Sequence, residues 1–128
     1  MSDLAGIARA CFQAYADSDR DAIEALIADD FHFTSPHDNS LDRETYFRRC
    51  WPHHEHCDAF EFIHVDLAGD RVFVVYELTS SRGPRAFRNC EMLTVRNGRI
   101  AEAEVYFGWN LPHDAPEGGF IDHNGEAA

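Results

Sequence analysis

Residues 88–109, RNCEMLTVRNGRIAEAEVYFGW, place two alternating runs on either side of Asn97-Gly98, the strongest short-range signal for a β-hairpin. The register of that hairpin decides where one acid must sit. A two-residue turn pairs Val95 with Ile100 and sets Glu91 opposite Glu104, a destabilising like-charge pair. A three-residue loop over Arg96, Asn97 and Gly98, with Gly98 as a left-handed bulge, pairs Val95 with Arg99 and Glu91 with Ala103 instead. Side chains alternate across a strand, so one face then carries Phe87, Asn89, Glu91 and Leu93 beside Ala101, Ala103, Val105 and Phe107. Arg88, Cys90, Met92 and Thr94 share the other face with Ile100, Glu102, Glu104 and Tyr106. Glu91 is the lone charge on the apolar face, and the residue opposite is only a methyl group. A carboxylate beside a gap on a buried surface is a candidate for binding or proton transfer.

The rest of the chain supplies what this hairpin packs against. Leu4, Ile7, Ala8, Cys11, Phe12, Ala14 and Tyr15 recur at helical spacing, predicting a helix over 3–16 with Ser2 as its cap. A capping-box pattern from Ser18 to Asp21 opens a short second helix that stops near Asp29-Asp30. Phe31 to Ser35 alternates as a strand ended by Pro36, and 37–40 reads as a turn. Leu41 and Tyr46 staple a third helix capped by Asp42 and stopped after Trp51 by Pro52. A loop at 53–57 leads to a strand at 59–67, and 71–80 forms the next, apolar on both faces between Val72 and Tyr76. Arg82-Gly83-Pro84 turns the chain into the hairpin. From Asn110 onward, prolines, glycines and four acids predict a flexible acidic tail at 111–128 after one domain at 1–110.

Helices gathered at one end of a run of strands predict an α+β cone: a curved antiparallel sheet wrapped around three N-terminal helices, with a pocket between the layers. The sheet's convex face then needs cover, most simply from a second copy in a homodimer. With 23 acids against 11 Lys and Arg, net charge −12, the chain repels nucleic-acid phosphate and anionic membranes alike. No apolar stretch reaches membrane-spanning length and the start lacks the order of a signal peptide, so the expected compartment is the cytoplasm. There the four cysteines read as thiols rather than bridges.

Over residues 3–110 the sequence resembles the nuclear transport factor 2-like superfamily and, within it, the SnoaL-like and ketosteroid-isomerase-like branch. The likeness rests on AYADSDRDAIEALIADDFHF at 14–33, on Thr34-Ser35-Pro36, and on Asn97-Gly98-Arg99-Ile100 leading to Val105-Tyr106-Phe107-Gly108-Trp109. The resemblance implies a cone-shaped pocket, a dimer through the convex face, and chemistry without metal or organic cofactor. The isomerases' general base falls on Ser35, their helix tyrosine near Phe12 with Tyr15 one turn on, and their second, protonated acid on Glu91. Only an acidic group at the last place survives. Steroid isomerisation is therefore disfavoured, and cyclase, dehydratase, epoxide hydrolase or binding roles stay open, since fold alone does not choose among them.

The candidate catalytic groups are Glu91, Asp38 and His37, the latter two standing near the missing base. The candidate pocket residues are Phe12, Tyr15, Phe33, Ser35, Trp51, Glu77, Asn89, Val105, Phe107 and Trp109. Desolvation would raise the pKa of an inward Glu91 toward neutrality, as proton transfer requires. Against this stands a salt bridge from Glu91 to Arg88, Arg85 or an arginine from elsewhere, and for Asp38 a plain Asx turn. The spacing in His53-His54-Glu55-His56-Cys57 fits neither structural zinc nor a helical metalloprotease motif, so it reads as a solvated loop. The expected ligand is a small hydrophobic carbonyl compound, handled by acid/base proton transfer in an isomerase, cyclase or dehydratase; the alternative is a non-catalytic binding or dimerisation domain.

Overall fold

The computed structural model describes residues 3–81 and 86–108 of the 128; the Arg82-Gly83-Pro84 turn, Trp109 and the expected tail lie outside them. Helix α1, Leu4–Asp17, takes its cap from Asp3 rather than Ser2, the carboxylate accepting the Gly6 amide at 3.0 Å. Ser18 closes the helix in the left-handed conformation (φ 55°), its amide returning to the carbonyls of Ala14 and Tyr15. Helix α2, Arg20–Leu26, is capped by Asp19. It ends three residues sooner than the periodicity predicts, because Ile27 is already extended and pairs with Ile100, and both side chains are sealed in the core.

Strand β1 therefore runs Ile27–Ser35, and the expected turn at 37–40 becomes part of a short strand β2, Asp38–Asp42, folded back on it. Ser40 takes a positive φ of 52° to keep Leu41 opposite Phe33. Helix α3, Arg43–Arg49, is capped by Asp42 through the Thr45 amide at 2.8 Å. Pro52 then opens a 3-10 helix, Trp51–His56, where a loop was expected. Strands β3 (Cys57–Ala68), β4 (Arg71–Ser80), β5 (Ala86–Arg96) and β6 (Arg99–Phe107) complete the chain.

The six strands form one open, curved sheet in the order β2-β1-β6-β5-β4-β3. Every neighbour is antiparallel except β1 and β6, which run parallel, so the sheet is mixed. The helices cover its concave face. Phe12 of α1 is ringed by Phe60, Phe62 and Tyr76, with ring centroids 4.7 to 5.3 Å away. Such edge-on aromatic packing adds about 0.5–1.5 kcal/mol per pair to simple burial. Among the described residues no helix is long and apolar enough to cross a membrane.

The hairpin reaches its register by a different route from the predicted one. Arg96 pairs with Arg99 around a two-residue turn, with Asn97 and Gly98 both at positive φ (53° and 78°), and Val95 pairs with Ile100. The like-charge clash is removed one step later, because Thr94 pairs with Glu102 and Ala101 is an extra residue bulged out of the ladder. Glu91 consequently faces Val105, not Ala103, and Ile100 turns into the core instead of outward. Both routes send the same residues of β5 inward, since each moves the pairing by an odd number of residues.

Candidate functional site

Between the helices and the concave face lies a cavity of about 500 Å³, within the range of small-molecule sites. α1 contributes Cys11, Phe12 and Tyr15, α3 contributes Tyr46, and the 3-10 helix His53 and His56. The sheet adds Phe33, Ser35, Asp38, Tyr76, Leu78, Phe87, Asn89, Glu91, Val105 and Phe107, among others. Alternate residues Tyr76, Leu78 and Ser80 of β4 and Phe87, Asn89 and Glu91 of β5 reach this wall, which is why an acid and an amide two positions apart share it.

Glu91 stands on the cavity wall. Its Oε1 accepts the hydroxyl of Tyr76 at 3.1 Å, and Tyr76 in turn accepts Nδ2 of Asn89 at 3.2 Å. Loss of hydration drives its carboxyl from the ordinary 4.5 up to about 7, with the Tyr76 hydrogen bond pulling weakly the other way. Arg88, one of the arginines expected against Glu91, instead has its Nε 3.0 Å from Glu77 Oε1 on the opposite face, and Arg85 lies outside the described residues. Tyr76, not Glu77, is thus the inward residue of β4, paired directly with Asn89. Glu77 is removed from the pocket by this register.

Across the cavity the hydroxyls of Tyr15 and Tyr46 are 2.5 Å apart. Burial raises both phenols well above their usual range, so both stay protonated. One hydrogen lies between the two oxygens and the second remains to be donated. Burial also lifts the Cys50 thiol to about 12 and Cys57 to about 11, and Cys11 higher still, which leaves these wall cysteines as neutral thiols and poor nucleophiles.

Ser35 stands beside Asp38. Its Oγ accepts the His37 amide at 3.1 Å and faces Asp38 Oδ2 at 3.3 Å, and Arg49 holds the other Asp38 oxygen at 2.8 Å. Asp38 is thereby a cavity-wall carboxylate with its side chain 13% exposed. His37 stands behind Phe107, ring centroids 5.7 Å apart, and is not part of the wall. Trp51 is likewise set back, buried against Tyr15 and stacked on His54, whose Nδ1 is 2.7 Å from Ser18 Oγ. Phe12, Tyr15, Phe33, Ser35, Asn89, Val105 and Phe107 all reach the cavity. Trp109 lies outside the described residues. Among those residues no three His, Cys, Asp or Glu side chains come together to share a metal ion.

Sequence reasoning missed Tyr76 and Tyr46. Tyr76 had a signal, the inward alternation Val72, Val74, Tyr76, Leu78, but reading it required the register between β4 and β5. Tyr46 was visible only as half of the staple that opens the third helix.

The fold is shared with solved structures. A nuclear transport factor 2-like protein of unknown function from Cytophaga hutchinsonii superposes with a TM-score of 0.69 at 14% identity, over 84% of this chain and 92% of that one. A suspected polyketide cyclase from Streptomyces antibioticus gives 0.67 at 18%, over 80% and 90%. An LEH-like epoxide hydrolase of M. tuberculosis gives 0.70 at 19%, over 82% of each chain. Identities this low establish the architecture and no activity. No curated protein matches the chain. The sequence profile of the SnoaL-like domain matches residues 8–103, and the chain belongs to that family.

Proposed function

We propose that this protein binds a small, mostly apolar, uncharged carbonyl compound and moves a proton on it, as an isomerase, cyclase or dehydratase with Glu91 as acid and base. The observation that carries the reading is the setting of Glu91: a carboxyl on the wall of an aromatic cavity, its hydrogen bond supplied by a phenol, balanced near pH 7. A group half protonated at working pH both takes and returns protons. As carboxylate it removes a proton from the carbon beside the ligand's carbonyl. The C–H electron pair then moves into the new C–C double bond, and the carbonyl oxygen gains the charge. The spare hydroxyl hydrogen of the Tyr15–Tyr46 pair is the donor suited to that oxygen. Neutral Glu91 next returns its proton at a second atom. Asp38 is the second proton-handling candidate, with Ser35 and Arg49 orienting it.

An uncharged ligand is favoured because the described wall carries two carboxylates and no Lys or Arg. On the outer face of the sheet, Tyr106, paired with Cys90, is 54% exposed, and we assign a second copy to cover the convex side in a cytoplasmic homodimer. Mass spectrometry of the purified protein for retained small molecules, followed by Glu91→Gln, tests the site. Glu91→Gln keeps the shape and removes ionisation, so turnover should fall by about 10²-fold or more while affinity changes little. If the recovered ligand is bound but never converted by wild-type protein, the domain is a binder; if Glu91→Gln turns over normally, Glu91 leaves the mechanism.

A further inference from the structure

We infer that Tyr76, held by Asn89, is a positioning residue that occupies Oε1 of Glu91 and so assigns proton exchange with the ligand to Oε2; this rests on the acid/base reading of Glu91. The sheet makes the arrangement. Tyr76 pairs directly with Asn89, while Glu91 pairs with Val74, placing the carboxyl diagonally across from the tyrosine, within reach of long side chains. Three polar groups from two strands meet at one phenol oxygen. The amide nitrogen of Asn89 can only donate, so at 3.2 Å it takes up an acceptor position of that oxygen. The single hydroxyl hydrogen is then committed to Glu91 Oε1. Asn89 is 6% exposed, so solvent does not compete for this bond.

The consequence is an asymmetric carboxyl. Oε1 has its hydrogen bond whether Glu91 is charged or neutral, and the proton of the neutral form sits on Oε2. No other described group does this job. Cys11 and Tyr15 face Glu91 from α1, and Tyr46 and Cys50 from the α3 side; burial keeps all four neutral near pH 7. Val105 opposite is apolar, and Cys90 points to the other face. Tyr76 therefore supplies a hydrogen bond present in both states and stronger to the charged carboxylate.

The test is an infrared titration of ligand-free protein, with the Glu91 band assigned by its loss in Glu91→Gln. Wild type should titrate near 7. Tyr76→Phe, which deletes one oxygen and keeps the ring, should move the midpoint up by about 1 to 2 pH units. It should also move the neutral C=O band to higher frequency, a change that general loosening of the fold would not give. Asn89→Leu, which frees the phenol to turn, should shift the midpoint the same way by less. If wild type titrates near 7 and Tyr76→Phe leaves both midpoint and band unmoved, the positioning role is overturned while Glu91 keeps its own. If the wild-type band titrates in the ordinary carboxylate range, the acid/base reading itself fails and takes this inference with it.

Discussion

Glu91 makes a stability prediction that needs no ligand. Its folded pKa is about 7 against an ordinary 4.5, so between those values the folded state holds a proton that the unfolded chain has released. Stability therefore falls as pH rises through this window and levels off above it. At 1.36 kcal/mol per pH unit the full penalty is about 3 kcal/mol, a ceiling because water in the cavity relieves part of it. Glutamine cannot ionise and escapes the penalty. The chain's isoelectric point near 4.9 sets a practical lower limit for measurement at about pH 5.5, where roughly two-fifths of the cost has already accrued. From there to pH 8 the stability of Glu91→Gln relative to wild type should grow by about 2 kcal/mol. All other titrating groups are common to both proteins and cancel in the difference. Urea unfolding at the two pH values reads it, provided the m-values agree. Parallel pH dependences would refute the claim that Glu91 is desolvated.

Two further outcomes follow from packing. A Cβ at Gly108 would lie 2.4 Å from the Arg88 carbonyl oxygen, whose bond to the Gly108 amide is 2.8 Å long; Gly108→Ala should cost about 1–3 kcal/mol by overpacking and lower the urea midpoint, and a wild-type midpoint contradicts that contact. Val75→Lys places a charge on the convex face while sparing the cavity, so light scattering should report a monomer where wild type is a dimer; a monomeric wild type ends the dimer proposal.

The inward set of β5 is legible in the order of residues, because side chains alternate with period 2 and Phe87, Asn89, Glu91 and Leu93 have to travel together. How the hairpin achieves its register is not, since a bulge at Ala101 has no residue signature of its own. The Glu77 expectation failed for a related reason: shifting β4 by one residue against β5 exchanges Tyr76 for Glu77 on the wall, and only cross-strand pairing fixes that parity. β2 read as a turn because Asp38, Asn39 and Ser40 are turn-forming residues, and a sheet edge overrode that preference.

Local chemistry written in the chain determined the helix cap at Asp42, the Asn97-Gly98 turn and the alternation that drives one acid toward apolar surroundings. These depend on residues a few positions apart, so the order of amino acids suffices. The tertiary structure alone decided that Tyr76 and Asn89 meet that acid, that Arg88 is engaged by Glu77, and that Tyr15 finds Tyr46 across the cavity. Each of those meetings joins separate elements, and their partners are chosen by sheet register and helix docking, which no single stretch of sequence encodes.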